Sequence, residues 1–523
     1  MAFYVTTPIY YVNAAPHLGH AYTTIGADIL ARHMRQRGEE VFFLTGTDEH
    51  GEPVALAAER EGVSPRELAD RNARRFQELL PPLEVSPDFF IRTSDPRHQE
   101  RVQEILTRVR DNGHVYEGVY EGWYCPRCAD FKTESEMGPD HTCLIHLIPL
   151  IWEHEDNWFF RLSSFQEPLE RLYRERPDFV LPEHRFNEAR SFIGSGLQDV
   201  SLTRRRVRWG VPVPWDPDQV FYVWFDALLN YVTALSFARE GEDLFDRFWP
   251  ADFHLIGKDI LKFHAVFWPA LLMAAGIELP RHLFVHGFLL SPPPDGGGGD
   301  NPGVDPKAGE GTLEKMSKSR GNVIDPFAVV ETFGADALRY YLYREVSFGL
   351  DGPVSEAGFA ARYETELANE YGNLASRTIA MVQRYRDGAL PDVELDPALA
   401  SDFEGLAERV RELMDGARLT FALEEIWQRV RRLNRYVEEQ APWQLAREPD
   451  RAGALDRTLA SLTEGLCVVT TLLWSYLPGS AERLLEALGH DPEGGSPSLD
   501  RARFGAGAGA RPVRSLPPLF PKI

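Results

Sequence analysis

Two short motifs, almost 300 residues apart, carry side chains suited to binding phosphate groups. The first is His17-Leu18-Gly19-His20, and the second is Lys315-Met316-Ser317-Lys318-Ser319. Two imidazoles one turn apart can donate hydrogen bonds to a phosphate, and a glycine lets a ligand approach the backbone closely. Lysine ammonium groups are compact, mobile charges suited to a phosphate that departs during a reaction. Either motif alone is more often structural, but the pair predicts one active site that handles phosphates.

The elements around the first motif predict how it is positioned. Residues 3–7 form a β-prone run, residues 8–16 have the composition of a loop, residues 21–37 have helical spacing, and residues 41–44 form a second apolar strand. The motif therefore lies at a helix start, where free N–H groups and the helix dipole favour anions. The chain contains neither G-x-G-x-x-G nor G-x-x-x-x-G-K-S/T. This argues against a dinucleotide-dependent enzyme and against a P-loop NTPase.

A separate group of residues has the spacing of a metal site. Cys125-x2-Cys128 is followed, after 14 residues, by Cys143-x2-His146. Three thiolates and one imidazole are the number and type of ligands that a closed tetrahedral Zn²⁺ site requires. A closed site has no open coordination position, so we expect one structural zinc ion per chain. The alternative is a redox Cys-x-x-Cys pair beside an incidental Cys-x-x-His. The fourth cysteine, Cys467, lies in an apolar helical segment, where we expect a buried small hydrophobe.

Bulk properties narrow the class of protein. The formal net charge of −23 argues against a nonspecific nucleic-acid coat protein. The N-terminus has no signal-peptide pattern, and no run of about 18 apolar residues predicts a membrane span. Four cysteines in 523 residues suit a reducing compartment, so we expect a cytoplasmic protein with no membrane partner.

The chain is long enough for several domains, and its pattern changes along its length. We predict an α/β fold, with a Rossmann-like parallel-sheet catalytic domain interrupted by a zinc-bearing insertion and followed by an all-α bundle. The bundle should end near residue 490, and the glycine-rich tail at 505–509 should be loosely held. The predicted segments are residues 1–113 (first catalytic half), 114–220 (connective insertion with the zinc knuckle, residues 125–146), 221–290 (second catalytic half), 291–355 (flexible Gly/Pro insert, lysine motif and the region that follows it) and 356–523 (helical domain).

Longer segments carry a family resemblance. Residues 6–13, 46–51, 222–227 and 256–260 read TTPIYYVN, GTDEHG, YVWFDA and IGKDI, and Phe267-Trp268-Pro269 follows. With the two phosphate motifs, which correspond to the HIGH and KMSKS motifs of class I aminoacyl-tRNA synthetases, these segments resemble the methionine–tRNA ligases. The similarity extends from Phe3 to about Trp443.

The resemblance implies a role for individual residues. His17, His20, Lys315 and Lys318 would act on the phosphates of ATP, and Asp48 would pair with the substrate ammonium. Polarizable aromatic faces suit a thioether side chain, and a polar contact from Tyr11 or His264 to the sulfur would help to reject leucine. The family has proline where this chain has Leu228.

The resemblance also implies three sets of binding residues. The residues implied at the adenosine are Gly19, Gly257, Asp259, His286 and Leu289, and those implied at the tRNA anticodon are Asn373, Arg377 and Trp443. The residues implied around the amino-acid side chain are Ile9, Tyr11, Trp224, Ala227, Leu228, Tyr231, Ile260, His264 and Trp268.

The implied reaction joins L-methionine to its tRNA, both initiator and elongator, through a methionyl-adenylate. Mg²⁺ would accompany ATP, and we expect a monomer because the chain stops without the C-terminal dimerising domain of some relatives.

Two alternatives stay open. One is a sister class I synthetase specific for cysteine, leucine, isoleucine or valine. The other is a tRNA-independent activating paralogue or a noncatalytic RNA-binding module. Whether this is a main enzyme or a second copy, for instance one tolerant of an inhibitor, also stays open.

Overall fold

The computed structural model describes residues 2–127, 130–132, 134–291, 314–315, 324–490 and 495–522. The first part of the chain alternates strands and helices. Its elements are β1 (Ala2–Tyr11), α1 (Leu18–Gln36), β2 (Glu40–Asp48), α2 (Glu52–Glu61), α3 (Pro65–Leu79), β3 (Phe89–Arg92) and α4 (Pro96–Val109).

The middle of the chain forms small antiparallel sheets and then returns to the parallel sheet. Its elements are β4 (Val115–Cys125), β5 (Asp130–Lys132), β6 (Met137–Gly138), β7 (Thr142–Cys143), β8 (Ile151–Phe160), α5 (Gln166–Glu175), β9 (Val180–Leu181), α6 (Glu183–Gly194), β10 (Val200–Ser201), β11 (Thr203–Arg204), β12 (Pro212–Val213), β13 (Asp216–Phe221), α7 (Val223–Leu228), α8 (Asn230–Thr233), α9 (Phe245–Phe248), β14 (Phe253–Gly257), α10 (Trp268–Ala275), β15 (His282–His286), β16 (Leu289–Ser291) and β17 (Glu314–Lys315).

The remainder is mostly helical. Its elements are α11 (Pro326–Phe333), α12 (Ala335–Glu345), β18 (Gly352–Pro353), α13 (Glu356–Arg362), α14 (Asn373–Arg386), β19 (Ala389–Leu390), α15 (Pro397–Asp402), α16 (Leu406–Asp415), α17 (Leu419–Gln440), α18 (Pro442–Leu445), α19 (Ala452–Leu473), α20 (Pro478–Ala487) and β20 (Arg511–Pro512). No helix in these ranges is long and apolar enough to cross a membrane.

The core sheet has six parallel strands in the order β3-β2-β1-β14-β15-β9. Side chains alternate between its two faces. In β1, Phe3 and Val5 join the core that continues into α1 and the helical bundle, whereas Tyr4 joins the core under α4 and α10. Both faces are covered, as parallel sheets require. The strand order reverses between β1 and β14, and ligands of open α/β sheets bind at the carboxyl ends of the strands at such a point.

Three expectations about local structure need correction or extension. The loop predicted at 8–16 begins later, because β1 continues to Tyr11 after a register shift between Thr6 and Ile9. The region 114–220 also contributes to the core sheet, since β9 pairs with β15 as an edge strand. The tail is not loose: β20 pairs with β19, and Gly505 and Gly507 donate backbone hydrogen bonds to the buried Glu464. The bundle ends at Ala487, close to the expected residue. Residues 292–313, which contain most of the predicted Gly/Pro insert, lie outside the described ranges.

Candidate active site

A cavity of about 480 Å³ opens at the carboxyl ends of β1 and β14, where the strand order reverses. Loops after both strands and the start of α1 form its walls. It brings together nearly all of the residues predicted for the amino-acid and nucleotide sites. Those that line it are Ile9, Tyr11, His17, Gly19, His20, Asp48, Trp224, Ala227, Leu228, Tyr231, Gly257, Asp259, Ile260, His264, His286 and Leu289.

The two histidines of the first motif cap α1. His17 is the N-cap residue, and its Nδ1 accepts from Gly19 N over 3.1 Å. The His17 backbone N donates in turn to His20 Nδ1 over 3.1 Å, and the two rings stack 3.8 Å apart. Because both Nδ1 atoms accept from backbone N–H groups, each neutral ring carries its proton on Nε2. The helix start therefore gives the cavity wall two imidazoles whose tautomer is fixed as an Nε2–H donor.

Asp48, at the end of β2, supplies a buried carboxylate to the cavity. It is 3 % exposed, and its Oδ1 has no hydrogen-bond partner among the described residues. Burial raises the pKa of Asp48 well above its usual range, and nearby Asp226 raises it further. A carboxylate in this condition is stabilised by a cation that enters the cavity.

The apolar end of the cavity contains a hydrogen-bonded pair with defined roles. His264 Nδ1 donates to Ile260 O over 3.1 Å, so its Nε2 accepts from the Tyr231 hydroxyl over 2.7 Å. Burial lowers the pKa of His264 to about 4, which keeps the imidazole neutral. Both nitrogens are thus engaged, and the expected contact from His264 to a substrate sulfur has no N–H to supply it. The other residue predicted for that contact, Tyr11, lines the same cavity.

Two tryptophans predicted for this end differ in position. Trp224 lines the cavity, and its ring stacks on Phe263 with centroids 3.8 Å apart. Trp268 is fully buried and donates from Nε1 to His254 Nε2 over 3.3 Å. Its ring lies 5.8 Å from that of Tyr231. Trp268 therefore supports the wall from behind and does not lie on the cavity surface.

The opposite end of the cavity contains the residues predicted at the nucleotide. His286 Nδ1 donates to Gly287 O over 2.8 Å, so its Nε2 accepts from the Thr23 hydroxyl over 2.8 Å. Burial lowers the pKa of His286, and the ring is held neutral against α1. At Gly257 a Cβ would lie 2.8 Å from Asp259 Oδ1, so a larger residue would displace the carboxylate. The backbone at this end is thereby left open to a ligand.

The second motif begins beside the same cavity. The backbone of Lys315 lies in β17, which pairs antiparallel with β16 through Leu290. The neighbouring Leu289 lines the cavity. Lys318 and the rest of the motif lie outside the described residues.

The predicted metal ligands also come together. Cys125 Sγ and Cys143 Sγ each lie 3.8 Å from His146 Nδ1, and the three ligand atoms lie within 4.8 Å of one another. Tetrahedral zinc with ordinary bond lengths separates sulfur and nitrogen ligands by about 3.6 Å, so this donor set fits Zn²⁺. Cys128 lies outside the described residues. His146 also lines the cavity, and Lys262 next to the apolar pocket pairs with Glu136 of the knuckle region at 3.2 Å.

Comparison with known proteins decides the family. A family model described as tRNA synthetases class I (M) matches residues 3–144, 139–293 and 310–379. The methionine–tRNA ligase of Mycobacterium tuberculosis (strain CDC 1551 / Oshkosh) is 44% identical over 532 residues, which cover 99% of this chain and 98% of that protein. The chain belongs to the methionine–tRNA ligase family.

One further relative and two solved structures extend the match. The methionine–tRNA ligase of Caldanaerobacter subterraneus subsp. tengcongensis is 41% identical over 100% of this chain and 79% of its own length. The crystal structure of the Mycobacterium tuberculosis methionyl-tRNA synthetase bound by methionyl-adenylate aligns with a TM-score of 0.91 at 41% identity, covering 100% of both chains. The free-state structure from that organism aligns with a TM-score of 0.84 at 39% identity.

The three residues that the methionine–tRNA ligase resemblance places at the anticodon lie together on the bundle. Asn373 begins α14, Arg377 follows one turn later, and Trp443 lies in α18. The Arg377 guanidinium carbon is 5.9 Å from the centroid of the Trp443 ring, and its Nη2 donates to Glu438 over 2.7 Å. Both side chains are partly buried, and an aromatic–guanidinium pair of this kind can stack with and hydrogen-bond an unpaired base.

Three residues behind the cavity, His50, His98 and Asp226, are not among the site residues that the sequence predicts. His50 and Asp226 lie in two of the family segments, and His98 lies outside them. These three side chains form a buried cluster behind the cavity. Apart from the position of two of them in the family segments, the sequence gives no sign of this cluster. Its hydrogen bonds join residues that are 128 and 176 positions apart.

Proposed function

We propose that this protein charges methionine tRNA with L-methionine in two steps. The observation that carries the proposal is the cavity at the point where the strand order reverses, which joins a buried carboxylate and an apolar aromatic pocket to two histidines at the start of α1. In the first step the enzyme forms methionyl-adenylate from L-methionine and ATP and releases diphosphate. In the second step a terminal adenosine hydroxyl of the tRNA takes the methionyl group, and AMP leaves.

The amino-acid site has two parts. Asp48 accepts the substrate ammonium. Its raised pKa supports this assignment, as does its Oδ1, which has no hydrogen-bond partner in the part of the chain that the structure describes. Ile9, Tyr11, Trp224, Ala227, Leu228, Tyr231, Ile260 and His264 enclose the thioether side chain, with Trp268 behind them. Leu228 is 2 % exposed and takes the place of a family proline with another apolar side chain, a type of exchange that is usually mild.

Activation needs no nucleophile from the protein, because the methionine carboxylate itself attacks the α-phosphorus. Catalysis is then positioning and stabilisation of charge. His17 and His20 donate from Nε2 to the phosphates, and Lys315 and Lys318 balance the charge that develops on the departing diphosphate. Gly19, Gly257, Asp259, His286 and Leu289 surround the adenosine. ATP binds with Mg²⁺, which shields the phosphate charges.

The remaining assignments concern the rest of the chain. Asn373, Arg377 and Trp443 read the anticodon of initiator and elongator methionine tRNAs. Cys125, Cys128, Cys143 and His146 hold one structural Zn²⁺ per chain. We place the enzyme in the cytoplasm as a monomer, which light scattering of the purified protein can test.

Amino-acid-dependent exchange between ATP and diphosphate, measured with all twenty amino acids, tests the proposal when total methionine tRNA charging is measured beside it. We expect exchange with methionine alone, together with charging. Exchange with a different amino acid would contradict the methionine assignment in favour of a sister synthetase. Exchange with methionine but without charging would indicate a tRNA-independent activating enzyme.

A further inference from the structure

A buried bridge of three side chains lies behind the amino-acid end of the cavity. Asp226 of α7 is fully buried, and both of its carboxylate oxygens accept hydrogen bonds from histidines. His50 Nδ1 donates to Oδ2 over 2.6 Å, and His98 Nε2 donates to Oδ1 over 2.8 Å. His98 Nδ1 lies 2.7 Å from the Thr233 hydroxyl of α8. The reaction proposed above uses none of these groups.

The bridge connects the two walls that face the amino acid. His50 follows Asp48 by two residues, just after β2. Asp226 lies in α7 between Trp224 and Ala227, which line the apolar pocket. His98 lies in the first turn of α4 and holds the other oxygen of Asp226. The distance between the carboxylate of Asp48 and the pocket walls on α7 is therefore fixed through hydrogen bonds to one carboxylate.

The bridge also governs the charge beside Asp48. Burial alone would raise the pKa of Asp226, but the His50 and His98 imidazoles lower it to about 2. Asp226 is thus an anion at neutral pH, and it is one cause of the raised pKa of Asp48. Of the other groups around this pair, the Glu49 carboxylate is held by Arg92 at 2.6 Å, Gln99 Nε2 lies 3.4 Å from His50 Nε2, and the Tyr231 phenol is engaged with His264.

We propose that His50, Asp226 and His98 are positioning residues for methionine: their bridge sets the spacing between Asp48 and the side-chain pocket on α7. This inference rests on the proposed role of Asp48 as the ammonium site. It predicts that damage to the bridge weakens methionine binding specifically. Among the described residues, the hydrogen bonds of the bridge join the end of β2 to α4, α7 and α8, whereas the ATP end of the cavity is built on α1 and β14.

Paired substitutions at His98 separate a hydrogen-bonding role from simple filling of space. His98→Ala removes a donor to a buried carboxylate, and we expect the KM for methionine in exchange to rise about tenfold. The KM for ATP should stay within about twofold of the wild-type value. His98→Gln keeps an N–H donor and should restore most of the methionine affinity. His33→Ala serves as the control, because His33 is another buried histidine but lies on α1 away from the cavity lining.

Asp226→Asn tests the charge and is nearly isosteric, so it also serves if His98→Ala does not fold. Removal of the anion should lower the pKa of Asp48, which must be ionised to bind an ammonium. The acidic limb of kcat/KM for methionine should therefore move to lower pH, whereas kcat/KM for ATP keeps its profile. A residue that only stabilises the fold would not move this limb.

The outcomes are distinct. The inference is overturned if His98→Ala changes the methionine KM no more than His33→Ala does, or if the acidic limb is unmoved in Asp226→Asn. A wild-type protein that does not exchange methionine would contradict the proposed function itself. Asp48→Asn with an unchanged methionine KM would contradict the ammonium site on which the inference rests.

Discussion

At the residue scale, His17 serves the helix and the chemistry with different atoms. Its Nδ1 caps α1 by accepting from Gly19 N, and its Nε2 is the atom proposed to donate to the phosphates. Asparagine caps helices as well as any residue but has no group equivalent to the Nε2–H. We therefore expect His17→Asn to keep the thermal midpoint of the wild-type protein while kcat for exchange falls by about 100-fold, the usual loss for one transition-state donor. Calorimetry measures the thermal midpoint and exchange kinetics measure kcat on the same sample. A clear drop in the thermal midpoint beside the loss of kcat would mean that the His17 ring is chiefly structural.

Asp48 illustrates a conflict between stability and function at a single residue. Because its folded-state pKa is raised, keeping it ionised in the native state costs stability as the pH rises above its unfolded value of about 4. Asp48→Asn should therefore abolish methionine-dependent exchange and yet raise the free energy of unfolding at pH 7. The advantage should shrink as the pH falls through about 4, because well below that value the wild-type carboxyl is protonated in both states. Denaturant titrations of both proteins at several pH values measure it, and a variant that is less stable at pH 7 would contradict the argument.

At the element scale, the proposed zinc knuckle, residues 125–146, approaches the candidate active site at two places among the described residues. His146 lines the cavity, and Glu136 pairs with Lys262 beside the apolar pocket. We expect the purified protein to contain one zinc ion per chain, and Cys143→Ser to lose the ion together with much of the exchange activity, because these contacts depend on the folded knuckle. Cys467→Ala is the matched control, since this cysteine is buried in α19 and burial raises its thiol pKa to about 12. Atomic absorption measures the zinc content, and exchange rates measure the activity. A Cys143→Ser protein that retains both zinc and activity would contradict the zinc assignment.

The same scale shows which elements the sequence could predict. The sequence places Ile426, Val430, Leu433 and Val437 at helical spacing, and all four are buried in α17. In a long amphipathic helix, apolar residues recur every three or four positions over several turns, so the helix can be predicted from its own segment of sequence. The two-residue strand β9 has no period, and only its pairing with β15 makes it part of the sheet. The bridge behind Asp48 cannot be predicted from local sequence either. It joins side chains from three separate elements, and none of these segments alone indicates the contact.

At the scale of the whole molecule, the C-terminal segment joins parts of the bundle that are distant in sequence. Glu464 of α19 accepts from Gly505 N and Gly507 N, and Arg511 pairs with it at 3.3 Å. A buried carboxylate that accepts several donors holds the glycine-rich segment, whose composition had suggested a loose tail. The chain then continues to Phe520, which is buried against the Tyr371 ring.

Phe520 lies directly beneath the start of the helix that carries two of the proposed anticodon residues. A Cβ at Gly372 would lie 3.6 Å from its ring, and Asn373 is the next residue of the chain. The Tyr363 hydroxyl donates to Pro521 O over 2.9 Å and fixes the segment in place.

Phe520→Ala should leave a cavity under Gly372 and loosen the N-terminal end of α14. We therefore expect the KM for methionine tRNA in charging to rise several-fold, while methionine-dependent exchange, which takes place in the distant cavity, stays at the wild-type rate. Phe421→Ala, which removes a half-exposed phenylalanine from α17, is the control and should leave both assays unchanged. Equal losses in exchange and in charging would show that the C-terminal segment supports the whole fold and has no particular effect on the anticodon helix.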